Sequence, residues 1–306
     1  MIAVLGPGGV GGFVAGALAR VGAPVTVIAR EETAALIARD GLSVRSVRLG
    51  DFTARPATAA ELAEPGATLL VATKAVGLGS ALERVRAEPA LVVPLLNGLD
   101  HLATLRLRFP GRVAAGTIRI EADRPAPGVV VQTSPFLRVD LAGDDPALRP
   151  GVEALAETLA GAEVPARVVD SEADVLWRKL VRLNALACTT SASDLSLGAI
   201  RDDPEWRAAL EACIREAAAV AAAEGAHVPV DNVVGELEEA HGTLGSSMQR
   251  DIAAGREPEL DQIPGAVLRA AARHGLTCPT IARLTLQIAA RAGVEPPEAA
   301  REQAPA

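Results

Sequence analysis

The run Gly6-Pro7-Gly8-Gly9-Val10-Gly11 follows the apolar segment Ile2–Leu5 and leads into a stretch of helical length, Gly11–Val21. No other feature restricts the fold as much. In a G-x-G-x-x-G loop at a strand-to-helix junction, Gly6 permits the tight turn and Gly8 lets the backbone approach a pyrophosphate. Gly11 lets the helix pack closely on its strand. The helix N-terminus then supplies unpaired N–H groups and a positive dipole for the anion, with Gly6, Gly8, Gly9, Val10 and Gly11 as the cofactor-binding residues. The hexapeptide alone also suits a plain turn. Its placement between two strand candidates, Ile2–Leu5 and Pro24–Ala29, points to dinucleotide binding.

Further strand candidates are Thr68–Ala72, Ala90–Leu95, Arg112–Thr117, Gly128–Gln132 and Leu137–Leu141. Helical stretches Gly77–Ala87 and Asp100–Phe109 alternate with them. Such alternation implies βαβ units and a mostly parallel sheet. Leu42–Arg55, with Gly50-Asp51 in its middle, reads as an inserted hairpin. From about Ser171 the alternation stops. Arg178–Ala187, Pro204–Ala223, Val230–His241 and Pro258–His274 are helical in length and composition. The fold class expected is therefore α/β, a Rossmann-type doubly wound N-terminal sheet followed by an all-α C-terminal domain. We place the domains at 1–168 and 169–294, with 295–306 as a fraying, Pro- and Ala-rich tail.

Composition narrows the partners. The net charge is −8, no Lys/Arg block occurs and Tyr is absent, which disfavours a nucleic-acid surface. No apolar run reaches the roughly eighteen residues of a membrane helix. The chain enters an apolar strand at Ile2 with no basic leader, so a cytoplasmic location is expected. Cys188, Cys213 and Cys278 are widely spaced and read as buried thiols, with no metal site implied. His101, His227, His241 and His274 read as surface or cap residues. A homodimer is the expected assembly, as helical domains of this kind often pair.

Lysine is the rare residue. Only Lys74 and Lys179 occur among 30 basic side chains, the rest being Arg. An ammonium can release its proton, whereas a guanidinium stays protonated, so a retained Lys suits proton transfer. Lys74 lies just beyond the strand candidate Thr68–Ala72, and Asn97 just beyond Ala90–Leu95. Ligands of open α/β sheets bind at that carboxyl edge. At the end of the second strand stands Arg30, where an NAD site usually carries Asp or Glu. Arg suits a 2′-phosphate and hence NADP, although Glu31 and Glu32 follow directly and would reverse the reading if the strand ended one residue later.

Five ordered segments carry a resemblance. They are the glycine loop, Ala72-Thr73-Lys74-Ala75, Asn97-Gly98, Leu176-Trp177-Arg178-Lys179-Leu180, and Ser246-Ser247-Met248 through Glu259-Leu260-Asp261. Over residues 2 to about 290 the chain resembles the ketopantoate (2-dehydropantoate 2-) reductases of the 6-phosphogluconate-dehydrogenase-like superfamily. The resemblance implies NADPH-dependent reduction of a small 2-oxo acid to a 2-hydroxy acid. It implies Lys179 as general acid and Glu259 as its acidic partner in the substrate and cofactor site. Ser247 would bind substrate, and Lys74, Asn97 and the backbone at Ala122 would contact NADP. Asn97 would also lie near nicotinamide and substrate. The resemblance places the site where the two domains meet.

The pattern also departs from the family. Asparagines expected four and eight residues past the lysine are Leu183 and Ala187, a third is Leu197, and Pro264 replaces another. Asn184 sits one residue later, a rotation of about 100° around a helix, and is the remaining asparagine candidate for substrate. Arg182, three residues past Lys179, is a candidate for a carboxylate. A site that loses such donors discriminates differently. A more apolar 2-oxo acid, another carbonyl or imine, or a non-catalytic NADP-binding regulator are the competing readings.

Overall fold

A computed structural model describes residues 1–304. It divides into two compact units. The first holds Met1–Leu96 and His101–Val175, and the second holds Asn97–Asp100 and the chain from Leu176 onward.

The first unit opens with β1 (Ile2–Leu5), α1 (Gly9–Arg20), β2 (Val25–Ile28) and α2 (Glu31–Asp40). Next come β3 (Leu42–Ser46), β4 (Phe52–Ala54), β5 (Ala57–Ala59), β6 (Thr68–Val71), α3 (Leu78–Leu82) and β7 (Leu91–Pro94). It closes with α4 (His101–Arg108), β8 (Ala115–Arg119), β9 (Ala122–Ala126), β10 (Val129–Gln132), β11 (Arg138–Ala142), α5 (Arg149–Gly161) and β12 (Ala166–Val168). Five strands form a parallel sheet in the order β5-β2-β1-β6-β7. Its central strand, β1, is buried along its whole length, as expected when helices cover both faces. The sheet is the doubly wound one expected from the alternation of strands and helices.

Two smaller sheets complete the unit. β12-β11-β8 adjoins β7 through a parallel bridge between Val92 and Val113. The hairpin expected over Leu42–Arg55 forms as antiparallel β3 and β4. It is part of a separate four-stranded sheet, β4-β3-β10-β9, which packs across α1. Gly9, Gly12 and Gly16 share one face of that helix. A Cβ would meet the Ala122 carbonyl at Gly9, Val130 Cγ2 at 2.6 Å from Gly12, and Val44 Cγ2 at 2.8 Å from Gly16. The second sheet therefore lies against bare helix backbone, an approach that any larger residue would push apart.

The second unit is helical. It comprises α6 (Glu172–Ser193), α7 (Leu197–Asp202), α8 (Pro204–Ala223), α9 (Val230–Glu239), α10 (Ser247–Ala253), α11 (Pro264–Arg273), α12 (Pro279–Ala292) and α13 (Glu298–Glu302). The division between units falls inside α6, whose first residues belong to the first unit. Trp177 is buried to 2% exposure and anchors α6, and truncating such a ring costs about 3–5 kcal/mol. Asp203 caps α8, its carboxylate accepting from the Glu205 and Trp206 amides at 2.9 and 3.0 Å.

Four sequence expectations are corrected. The helix expected over Gly77–Ala87 is a single short one, α3, because Val85 leaves it to bridge Leu62, whose carbonyl accepts from the Arg86 and Ala87 amides. Pro258–His274 is helical only from Pro264, which occupies the first turn and has no N–H to offer a preceding carbonyl. The preceding residues form turns that carry Glu259. His101 is buried at the start of α4 instead of lying at the surface. The expected fraying tail is ordered through Gln303. Ala299 and Ala300 are buried, and the Gln303 amide donates to Leu268 C=O at 2.8 Å while its oxygen accepts from Cys278 N–H at 3.0 Å. Residues 305–306, also assigned to that tail, lie outside the described residues.

Candidate active site

The nucleotide end is built from backbone. Gly6 adopts φ +91°, which L side chains rarely tolerate, and a Cβ there would lie 2.7 Å from Thr73 Cγ2. A Cβ on Gly11 would overlap the Gly6 carbonyl and approach Ala72 Cβ to 2.9 Å, so α1 packs directly on the β1–β6 edge. Gly8 differs, for nothing lies closer than the Ala72 carbonyl at 3.9 Å. Its surroundings are open where a ligand would approach. Gly8 is also the N-cap of α1, with no side-chain cap and no acid in the first turn. The helix dipole and the first amides are thus left for an anion. Thr73, at the carboxyl edge of β6, keeps its Oγ1 buried without a hydrogen-bond partner. A buried hydroxyl left unpaired is costly, and a polar ligand beside Gly6 would satisfy it. These observations fit a dinucleotide.

Around this loop stand the other first-unit candidates. Ala122 begins β9, with its carbonyl against Gly9. Lys74 follows β6 and is exposed. Arg30 is exposed at the N-cap of α2. Glu31 and Glu32 form the first turn of that helix, where carboxylates are favoured. Glu31 also pairs with Arg84 at 3.2 Å. A hydrogen bond to its own backbone N–H and the Arg84 guanidinium hold its carboxyl below the usual range. Both acids are thus explained by the helix they open.

The helical unit supplies side chains. Asn97 Nδ2 donates to Glu259 Oε2 at 2.9 Å, joining two motif residues separated by 162 positions. A hydrogen bond to a carboxylate is worth about 1.5–3 kcal/mol. Gly98 has φ +85°, and a Cβ there would collide with the Gln262 carbonyl. The Asn97 loop and the Glu259 turn therefore touch backbone to backbone. Lys179 is half-buried on α6, and Leu183, one turn later, is half-buried too. Ser247 opens α10, half-exposed. Its neighbour Ser246 is the buried cap, accepting from Gln249 N–H at 3.0 Å and Thr190 Oγ1 at 2.8 Å.

Asn184 is corrected. It is fully buried, its Oδ1 accepting from the Cys188 thiol at 3.5 Å while its Nδ2 finds no partner, so it presents no surface to solvent. One residue of helical rotation has turned it into the core. Ala187 and Leu197 are equally buried, which leaves Leu183 as the half-exposed member of that set. Arg182 pairs with Glu236 of α9 at 3.4 Å. All three cysteines are buried and unpaired; burial first, then Glu216, pushes the Cys278 thiol up to about 12. Among the described residues no His/Cys/Asp/Glu cluster could hold a metal, and no helix is long and apolar enough to cross a membrane. A surface depression of about 460 Å³ lined by Gly79, Leu82 and Arg108 contains none of the candidate residues.

Sequence comparison fits this arrangement. The family described as "Ketopantoate reductase PanE/ApbA" matches residues 2–141, and "Ketopantoate reductase PanE/ApbA C terminal" matches residues 173–292. The chain belongs to the ketopantoate reductase family. It is an oxidoreductase of that family, whose members use a nicotinamide cofactor. It is 31% identical to the 2-dehydropantoate 2-reductase of Caulobacter vibrioides, over 95% of this chain and 99% of the relative. The PanE/ApbA family ketopantoate reductase from Ralstonia eutropha JMP134 superposes with a TM-score of 0.83 at 26% identity, covering 95% of this chain and 98% of that one. D-mandelate dehydrogenase, solved with NADH and anilino(oxo)acetate, shares the fold with a TM-score of 0.85 at 22% identity over 95% and 98% of the two chains.

Proposed function

We propose that this family member reduces a 2-oxo acid of the 2-dehydropantoate kind to its 2-hydroxy acid with NADPH. The observation that carries the proposal is the Asn97–Glu259 hydrogen bond, which unites two motifs read separately from the sequence. When bound, the reduced nicotinamide supplies the hydride. Everything else falls to the chain. As the carbonyl carbon becomes tetrahedral its oxygen gains negative charge, and Lys179 Nζ gives that oxygen a proton. Glu259 balances the positive charge of a partly desolvated ammonium, and Asn97 orients that carboxylate. Ser247 offers a hydroxyl to the substrate from the start of α10. Gly6, Gly8, Gly9, Val10, Gly11, Lys74 and the Ala122 backbone hold the dinucleotide.

Preference for NADPH rests on Arg30. Its guanidinium suits a 2′-phosphate, and Glu31 and Glu32 serve the first turn of α2. Leu183 beside Lys179, with Asn184 buried, supports a substrate pocket with fewer amide donors than the family pattern implies. The assay therefore spans 2-dehydropantoate and a series of increasingly apolar 2-oxo acids, following NADPH oxidation. Lys179→Ala should lower kcat by about 10²–10⁴-fold, the usual worth of a general acid. Turnover that survives this substitution unchanged refutes the assignment. Tight NADPH binding with no turnover of any carbonyl compound would move the reading to a regulator. In the same assay Arg30→Ala should raise the KM for NADPH far more than that for NADH, and equal effects count against the phosphate role.

A further inference from the structure

Neither Asn97 nor Glu259 stands on a regular element. Asn97 lies in the loop after β7, and Glu259 lies in the turns before α11. Two loops hold a pair of side chains less well than a helix or strand does, unless surrounding groups lock them. Arg269, in the middle of α11, reaches both loops. Its Nη1 donates to Asp261 Oδ1 at 2.5 Å, and its Nη2 donates to the Asp261 carbonyl at 2.7 Å and to Asp100 Oδ2 at 2.6 Å. One planar guanidinium thus ties the residue three positions past Asn97 to the residue two positions past Glu259. A lysine could not make this fork, since its ammonium is a point charge on a flexible stem.

The surrounding chain makes room for the fork. Gly265 lies one helical turn before Arg269, and a Cβ there would sit 3.2 Å from Arg269 Nη1 and 3.3 Å from Asp261 Oδ1. Gly98 lets the loop backbone reach Gln262 between the two anchor points. The Arg269 side chain is 33% exposed, so two-thirds of it is shielded from solvent. An isolated surface ion pair contributes little, whereas a rigid bidentate one between two acids can fix a geometry.

We propose that Arg269 is a positioning residue for the reduction, clamping the Asn97 loop onto the Glu259 turn so that carboxamide and carboxylate stay aligned. The proposal rests on the reductase reading, because the alignment matters only if Asn97 and Glu259 act in the site. Misplacing a group by about 1 Å can cost about a hundredfold in rate.

The test compares wild type, Arg269→Ala, Arg269→Lys and Asp100→Ala by steady-state kinetics and by amide hydrogen exchange across residues 97–100. Arg269→Ala should lower kcat by about ten- to a hundredfold, with KM changed much less. Arg269→Lys should recover only part of that loss. In an Asn97→Ala background, Arg269→Ala should add nearly nothing, because both act through one contact. Exchange across 97–100 should accelerate at least about tenfold, the equivalent of roughly 1.4 kcal/mol of local opening. Full kcat in Arg269→Ala, or losses that add with Asn97→Ala, overturns the proposal. Should Arg269→Ala not fold, Asp100→Ala removes the acceptor of the same tie at an exposed position, and normal kcat there overturns it equally. If wild type turns over no 2-oxo acid, the reductase reading fails on its own. Exchange then decides the clamp, with unchanged protection refuting it.

Discussion

The glycine loop and the Asn97–Glu259 corner are constructed on opposite plans. The loop works by leaving side chains out, so that amides, a helix end and a strand edge approach one another and a ligand. The corner works by bringing side chains in, from residues 162 positions apart, and holding them with a charged fork. A site made of omissions is contiguous and sterically unforgiving. A site made of side chains is scattered, and each member depends on its neighbours for position.

The largest effect should come from adding one methyl group to each plan. Gly11→Ala drives a Cβ into the Gly6 carbonyl. We expect it to cost about 1–3 kcal/mol of stability and to abolish dinucleotide binding in a fluorescence titration. Gly98→Ala drives a Cβ into the Gln262 carbonyl from a φ of +85°. It should fall mainly on turnover and weaken dinucleotide binding much less. If both variants lose cofactor equally, the two regions are not separate in function and the contrast is wrong.

A smaller change sharpens it. Thr73 brings a side chain to the glycine end, a hydroxyl oxygen beside Gly6 that is buried and unpaired. Thr73→Val keeps the shape and removes the polar atom. Loss of one hydrogen bond to the dinucleotide should raise its Kd about threefold to tenfold, the worth of roughly 0.5–1.5 kcal/mol. Thermal stability of the cofactor-free protein should hold or rise, since an unsatisfied buried hydroxyl has been removed. Affinity equal to wild type would mean that the hydroxyl faces no dinucleotide.

The same contrast explains what the sequence disclosed. Gly6–Gly11, β1 and the parallel alternation were readable because steric need and strand period are local properties. Asn97 and Glu259 were readable as motif members, but their contact was not, since nothing local links positions so far apart. Arg269 carried no signal at all, one arginine among many on a helix face. Its one trace was Gly265, a glycine in the first turn of α11, where helix propensity argues against it. Gly12 and Gly16 were equally silent, as their role appears only once the second sheet lies across α1. Asn184 shows the opposite error. It entered as the remaining asparagine candidate for substrate, but a shift of one helical position sent it into the core.

The weakest expected effect separates a carboxylate that closes the fold from one that serves the site. Glu172 is buried to 6% exposure, accepts from Arg106, and exchanges contacts with Asp144, whose N–H lies 3.4 Å from Glu172 Oε1. The Glu172 N–H in turn donates to Asp144 Oδ1 at 3.0 Å. Burial raises its carboxyl above the ordinary 4.5, against the pull of Arg106 and with a smaller push from Asp144. The folded protein therefore holds this proton more tightly than the unfolded chain. Just above the unfolded value it binds more protons than the unfolded chain does, so this group's contribution to stability falls as pH rises through that window. Glu172→Gln stays neutral and removes that slope. Its Tm relative to wild type should be lowest near about pH 4 and improve toward about pH 7. Its kcat should follow the wild-type pH profile throughout, because Glu172 touches no proposed reacting group. A shifted kcat profile would place Glu172 with Glu259 in the chemistry and break the division between fold-closing and site carboxylates.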